Sequence, residues 1–580
     1  MEPCSEPCFD CKAEKSRVRK YRWKIILGLV FPYALQGLDA TIIASALPWI
    51  AGDFGQISQL NWIVSSFNLT SAAFIPFWAQ VADVFGRNYA INAAIGLMLI
   101  GSALCTGAPT TAFPVLLLGR GFQGLAAAGL NVLVRTILAD RVSLEENAKN
   151  WTIFAFVGGV SYALGPVIGG YLTSADWRWC FAINLPIGVA ALGITFFVLR
   201  KELIGPQPIP ELGETPETGR RTKFVARLKT IDFGGQMLFM FGFGMITLGL
   251  TWGGVTYPWN SGPVVASLAL GIAITGGFFL WEKMLAPGGP LLQKLPWQKA
   301  MIPWNIISNR DILLLFYSES VSGMGMYAVL YFCNIYFISV KDYEPDEAGV
   351  QLLFFIPGLS VGIYLCSVLC NRWPRMTWPP IFLGTLVETV GIGMLGWAMY
   401  TEHTGTIFGM MALTGVGSGL RFMAAPLHGV GQFRKDRAAV IGLLTVSIPF
   451  GGMIGLTIMS TVFNNTSGLE ANADFSHFRD AAPDLAGELK EKAKMGIVWA
   501  FVAITPILFL GWIAACFLGN VRLGKSSGPG KGEIQNIVIT EPYLLHLLRG
   551  CRAANEDAYD ILLETSQGRA LPVDSMPLRT

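Results

Sequence analysis

The sequence predicts an all-α polytopic membrane protein with about fourteen transmembrane helices. Sparse charge, a train of long apolar runs and a one-sided distribution of basic residues predict it. Of the 580 residues, 52% are hydrophobic and only 14% charged, and the mean hydropathy is +0.49. Soluble domains carry about 25% charged residues, so charge this thin cannot coat a water-facing surface. The 66 glycines suit the close helix approach that lipid-embedded bundles use. Subtracting 39 acidic from 42 basic residues leaves +3, too small an excess to imply a nucleic-acid partner.

A helix needs about 20 apolar residues to cross about 30 Å of hydrocarbon. Such runs lie near 25–47, 60–81, 89–108, 112–137, 150–173, 178–199, 231–252, 262–282, 312–338, 347–370, 378–399, 406–427, 438–463 and 495–519. The weakest, 406–427, carries Arg421, which is expected to snorkel towards the inner surface. With the N-terminus inside, the inner loops collect about 26 Lys and Arg, beginning with Lys12, Lys15, Arg17, Arg19, Lys20, Arg22 and Lys24. The outer loops hold only Arg178, Lys341, Arg479, Lys490, Lys492 and Lys494. This is the asymmetry of the positive-inside rule. An odd span count would scramble it, so both termini are expected in the cytoplasm.

Polar, proline-containing stretches at 202–230 and 283–311 divide the chain. The expected parts are a cytoplasmic tail (1–24), a six-helix bundle (25–200), a linker region (201–311) with two extra helices at 231–252 and 262–282, a second six-helix bundle (312–519) and a cytoplasmic tail (520–580). The last tail is polar and reads as mostly disordered. The leader is polar and the first run is full length, so no signal peptide is expected. Residues 464–494 form an outer loop with a short helix. Asn464 and Asn465 each begin an N-x-S/T sequon there, which makes both candidate glycosylation sites. Most of the ten cysteines fall in apolar runs, where cysteine is a small hydrophobe. Cys4, Cys8 and Cys11 cluster in the polar leader without a second CxxC or a histidine to complete a zinc site. No metal or other cofactor is expected.

Charges inside apolar helices carry the mechanism, because an ionisable group in the membrane is costly unless it faces a polar interior. Span one contains LDATIIASALP with Asp39, and span four contains GRGFQGLAAAG with Arg120, Gln123 and Gly124 on one broad helical face. An arginine stays charged when buried and can hold a nearby carboxylate ionised until helices move. The loop after span two, AQVADVFGRN, places Asp83, Gly86 and Arg87 between two hydrophobic helices, with Gly86 permitting a tight turn. Span five contains GGVSYALGPVIGG, where Gly165, Pro166, Gly169 and Gly170 permit close packing and bending. Glu319 and Glu388 lie within spans nine and eleven. No spacing selects a substrate site, although Tyr162, Tyr327 and Phe354 fall within spans.

In this order the four motifs and the WRWCFAINLPIG stretch at 177–188 resemble the major facilitator superfamily, in its fourteen-span drug:proton antiporter branch. The likeness is greatest to fungal efflux pumps for toxic metabolites and drugs. It covers about residues 24–520, including the six–two–six layout. Ala79, Val84 and Asn88 depart from the family's usual inner-loop residues. The resemblance implies a major facilitator fold and proton-coupled export of small amphipathic organic compounds by alternating access. Arg120 would then act in proton coupling, with Asp39, Glu319 and Glu388 as candidate proton carriers, and Asp83, Gly86, Arg87, Gln123, Gly124, Gly165, Pro166, Gly169 and Gly170 as conformational motif. Its partners would be a small organic substrate, protons and the bilayer, with the chain a monomer in the plasma membrane or, alternatively, the vacuolar membrane. Two other functions compete: proton-symport uptake of iron–siderophore chelates, and a non-transporting receptor. No nucleophile–base set suggests an enzyme. GNVRLGKSS at 519–527 fits a phosphate-binding loop pattern, but that loop needs a strand before it and a helix after it, where this chain has its last membrane span and a Gly/Ser/Pro run.

Overall fold

The computed structural model describes residues 9–43, 46–55, 60–140, 144–173, 175–206, 220–254, 257–343, 345–372, 374–433, 436–468, 483–523 and 537–548. Its first six long helices are α1 (Phe9–Ile42), α2 (Leu60–Phe85), α3 (Arg87–Thr106), α4 (Phe113–Ala139), α5 (Leu144–Thr173) and α6 (Trp179–Leu199). Then come α7 (Phe233–Trp252) and α8 (Gly262–Met284). The last six are α9 (Arg310–Ser339), α10 (Glu347–Asn371), α11 (Trp378–Tyr400), α12 (Thr404–Gln432), α13 (Arg437–Ser467) and α14 (Pro483–Cys516).

Local chemistry sets the helix ends. Helices α4, α8 and α11 each begin with proline in the first turn, where the missing N–H costs nothing. Asp232 caps α7 by accepting from the Gly235 N–H, and Asn309 caps α9. Gly468, at φ +68°, closes α13 in the left-handed conformation. Span one ends at Ile42, earlier than the expected 47, and the chain restarts as a short helix, Leu47–Asp53, with proline in its first turn.

Among the described residues, twelve helices are long and apolar enough to cross a membrane. The count of fourteen is reached with α2 and α5, which have 26 and 30 residues but are diluted by polar groups such as Ser65, Ser66, Asn68, Thr70 and Ser71 in α2. Packing explains the dilution. α2 lies against α13 and α5 against α10, so each faces another helix across the middle of the molecule. Within the first six helices α4 packs on α2 and α3, and α1 on α5; within the last six α12 packs on α10 and α11, and α9 on α13. The second set repeats the first at an offset of eight helices. The inserted α7 and α8 pack on each other, and α7 also touches α2 and α13.

The buried apolar core is uneven along this axis. Near the face where α1 enters, one cluster joins both sets, from Ile26 and Leu138 to Met423 and Leu444. A smaller contact there joins Ala139, Val430 and Ile441, and the Arg437 guanidinium donates to the Ala139 carbonyl at 2.8 Å. Towards the opposite face the core splits into one cluster confined to the first set, with Phe54, Phe113 and Phe181, and one confined to the last set, with Phe337, Phe463 and Phe501. Packing thus seals the molecule at the entry face of α1.

The polar segments are more ordered than their composition suggests. Asn520–Arg522 (β1) and Ile537–Ile539 (β2) form an antiparallel strand pair, followed by a helix at Tyr543–Leu548. β1 docks on the end of α11: Thr377 N–H donates to the Val521 carbonyl, and Trp378 N–H to the Asn520 side chain. The described residues of the polar tail, 520–523 and 537–548, take regular structure because backbone pairing and the packing of Tyr543 on Trp378 offset the polar composition. The same strand pairing removes the phosphate-loop reading at Gly519–Arg522. In the linker Arg220–Lys229 is helical. Cys4 and Cys8 lie outside the described residues.

Candidate functional site

The ionisable residues singled out in the apolar helices fall into two buried clusters and one cluster at the entry face. In the first set Asp39 on α1 is fully buried, and three side-chain bonds from three residues converge on its carboxylate. Its Oδ1 accepts from the Gln123 amide at 2.8 Å and the Asn184 amide at 2.5 Å, while its Oδ2 faces the Arg120 guanidinium at 3.4 Å. Arg120 also donates to Gln123 Oε1 at 2.9 Å and to the Ile63 carbonyl on α2 at 3.2 Å, and lies over the Phe67 ring. Gln123 donates to Ser102 on α3. One carboxylate therefore ties α1, α2, α3, α4 and α6 together. A charge this deep persists only where it is paired and hydrogen-bonded, and this network supplies both.

Glycines let the helices close around it. A Cβ on Gly124 would collide with the Phe67 carbonyl and the Thr70 hydroxyl, and one on Gly165 with the Thr41 hydroxyl of α1. Gly170 instead meets open space, and Gly169 is buried with its carbonyl accepting from Thr173. The side chain of Pro166 lies outside the described residues, as does that of Tyr162.

The second cluster sits in the last set. Arg421 and Glu388 form a fully buried ion pair between α12 and α11. Ser418 donates to Glu388 Oε1 at 2.7 Å, and Arg421 donates to the Ser318 carbonyl on α9 at 2.8 Å. Arg421 therefore does not snorkel: a carboxylate one helix away holds it inside. Glu319, next to Ser318, is 2% exposed, and its Oε1 has no hydrogen-bond partner. It lies within electrostatic reach of Arg421 and of Arg135 on α4. Arg135, whose role the sequence did not reveal, is buried with its guanidinium between Trp151 of α5 (4.9 Å) and Phe422 of α12 (5.2 Å). It thereby bridges the two sets. Tyr327 stacks on Tyr331 and Phe354 on Phe408, and neither contact marks a substrate site.

At the entry face Arg87 bonds Asp83 at 2.6 Å and Asp140, at the end of α4, at 3.0 Å. Asp140 was not singled out from sequence. Gly86 has φ +93°, and a Cβ there would meet Pro206 N at 2.8 Å, so the turn requires glycine on two counts. Asn464 and Asn465 lie on the last turn of α13. Asn465 is exposed, whereas the Asn464 amide donates to the Gly254 carbonyl at 3.1 Å. Among the described residues no group of three or more His, Cys, Asp or Glu could hold a metal ion.

The arrangement resembles known transporters in sequence and in fold. A curated relative, the MFS-type transporter ucsD of Acremonium sp., is 32% identical over 461 residues, covering 78% of this chain and 73% of that protein. The efflux pump FUS6 of Gibberella fujikuroi is 28% identical, covering 82% and 79%. Among solved structures, the proton:xylose symporter XylE bound to 6-bromo-6-deoxy-D-glucose superposes with a TM-score of 0.53 at 13% identity, covering 85% of this chain and 95% of that one. That similarity speaks for the fold. The family model of the Major Facilitator Superfamily matches residues 29–456, well over half of the sequence. The chain belongs to the Major Facilitator Superfamily and is a multi-pass membrane transporter of that type, not an enzyme.

Proposed function

We propose that this transporter exports small amphipathic organic compounds in exchange for protons, by alternating access between two bundles, residues 25–200 and 312–519. The observation that carries the reading is the buried Asp39–Arg120–Gln123–Asn184 network. Its charge pair spans five helices, so any rocking of α1 against α4 changes the partners of Asp39 and with them its proton affinity. Relatives named as efflux pumps support export. In this reading Asp39, Arg120, Glu319 and Glu388 carry coupling. Glu319 holds the exchangeable proton, because its unpartnered oxygen leaves it the least committed of the three carboxylates. Asp83, Gly86 and Arg87 with Asp140 latch the entry face, which is cytoplasmic, and Gly165 forms the close seam between α1 and α5. The protein works as a monomer in the plasma membrane, and Asn465 is the better placed of the two sequons for a glycan.

The test is directional flux. Energised inside-out vesicles are loaded with a panel of fluorescent amphipathic compounds, and an uncoupler is then added. Accumulation that collapses with the proton gradient is expected. Accumulation that survives the uncoupler would remove proton coupling. No accumulation, together with uptake of iron chelates by whole cells, would replace export by import.

A further inference from the structure

The two inserted helices carry a buried acidic pair that the transport reading does not use. Asp232 stands at the start of α7 and Glu282 in the last turn of α8, and both are fully buried. Asp232 Oδ1 accepts from Gly235 N–H (2.8 Å), Trp281 Nε1 (3.0 Å) and Gln298 Nε2 (2.7 Å). Glu282 Oε1 accepts from Ile302 N–H at 3.3 Å. The 298–302 segment reaches both carboxyl groups, Gln298 bonding Asp232 and Ile302 N–H bonding Glu282, which brings them together. Each then keeps one buried oxygen without a partner, Asp232 Oδ2 and Glu282 Oε2.

Two adjacent carboxylates cannot both stay ionised out of water, because desolvation and mutual repulsion add. Among the described residues no cation pairs with either of them. Asp232 is the one charged group acting on Glu282, while the nearby Lys283 and Lys299 are exposed, Lys283 lying over the Trp304 ring. α2 presents the neutral Gln80, and the 298–302 segment presents the Gln298 amide and backbone N–H groups. We propose that Asp232 and Glu282 form a proton-binding site, in which one proton held between Asp232 Oδ2 and Glu282 Oε2 turns the two orphaned acceptors into a single O–H···O bond. Burial also pushes the Asp232 carboxyl above its ordinary range despite its donors.

The site is wired to the transport core. Asp232 N–H donates to Gln80 Oε1 on α2, and Gln80 Nε2 donates to the Lys299 carbonyl. α2 is the helix that packs across on α13. The proton thus clasps the insert, the 298–302 segment and α2 at the entry face. This inference is independent of which substrate is carried and of its direction.

The experiment compares purified full-length protein with E282Q, by infrared spectroscopy and by thermal unfolding across pH. The glutamine supplies the donor that the proposed proton supplies. The wild type minus E282Q spectrum at neutral pH should contain the carbonyl band of a protonated acid, which titrates away in alkali. Sign follows from binding: the folded pair keeps a proton that unfolded glutamate releases near pH 4.3, so wild-type stability falls as pH rises from there until the pair deprotonates. E282Q should keep the wild-type midpoint at neutral pH and lose most of that slope. Ionised-carboxylate bands in the difference spectrum at neutral pH would overturn the proposal. So would a midpoint raised by sodium or potassium in wild type and not in E282Q, since a metal cation would then occupy the site. Should E282Q fail to fold, D232N must show the same loss of slope, and the wild-type acid band must still shift in heavy water.

Discussion

The two halves of the molecule each bury an arginine in corresponding helices, Arg120 near the start of α4 and Arg421 beyond the middle of α12, and neutralise it differently. In the first half the carboxylate comes from α1, and Asp39 is saturated by Arg120, Gln123 and Asn184. In the second half it comes from α11, the counterpart of α3, and the Arg421–Glu388 pair closes within two adjacent helices. The counterpart of α1 is α9, which offers Arg421 only the Ser318 carbonyl and leaves Glu319 beside it with an unpartnered oxygen. The first network therefore resists change until α1 moves, whereas the second keeps a spare carboxyl inside a locked pair. This asymmetry suits one half to sensing conformation and the other to holding an exchangeable proton.

Deleting the arginines should have the largest effect. Removing one partner of a buried pair costs about 3–5 kcal/mol because it strands the other charge. R120A and R421A should each lower the unfolding midpoint and abolish export while still inserting. Neutralising the partner should restore stability more fully in R421A/E388Q than in R120A/D39N, because Arg120 also holds Gln123 and the Ile63 carbonyl. Equal recovery in unfolding assays would erase the contrast between the halves.

A smaller, sharper effect concerns pH. E319Q should retain folding and substrate movement but flatten the pH dependence of transport. D39N should lose transport with its network. A flat profile in D39N and a normal one in E319Q, measured as initial rates across pH, would reverse the roles of the two halves. Smaller again is Arg135→Gln. Its guanidinium joins the halves through two ring faces, each contact being worth about 1–2 kcal/mol when desolvated. Transport should slow by roughly tenfold, which corresponds to about 1.4 kcal/mol, with the unfolding midpoint of the purified variant little changed.

The smallest effect lies at the opposite face. There the second half is tied by Glu402, bonded to Lys494 (2.9 Å) and Lys341 (3.3 Å), while the first half uses Trp177 bonded to Asp53 and stacked near Phe54. The Lys494 and then the Lys341 ammonium hold Glu402 below the ordinary glutamate range. The stability it contributes is therefore present above about pH 4.3 and lost as pH falls through its lower folded value. E402Q should remove a small part of the acid sensitivity of unfolding, and an identical acid limb would show that the cluster contributes nothing.

The fold and the first cluster were legible in the sequence because a charge inside an apolar run is a one-dimensional signal. Asp39, Arg120 and Gln123 announce themselves that way. Arg421 announced itself too, but its fate depended on Glu388 facing it from a neighbouring helix, which spacing along one chain segment does not encode. Asn184, Asp140 and Arg135 were missed for the same reason. Asn184 and Asp140 are ordinary polar residues until tertiary packing brings them to Asp39 and Arg87, whereas Arg135 is a charge inside the expected run 112–137 whose seat between Trp151 and Phe422 only packing reveals. The pairing of Asn520–Arg522 with Ile537–Ile539 was hidden by polar composition, since it is held by docking on α11. Asp232 and Glu282 fall at the ends of the extra helices expected at 231–252 and 262–282 and were not singled out, because nothing local marks two carboxyls 50 residues apart as neighbours.

Proton coupling is the central claim, and purified protein in liposomes tests it most directly. A pH-sensitive dye is trapped inside, and a compound identified in the vesicle panel is added outside. The account predicts that the substrate moves one way as protons move the other, that an imposed pH gradient drives substrate uphill, and that R120A does neither. Substrate movement by wild type at the same rate with and without the gradient, with no change in the dye, would contradict it.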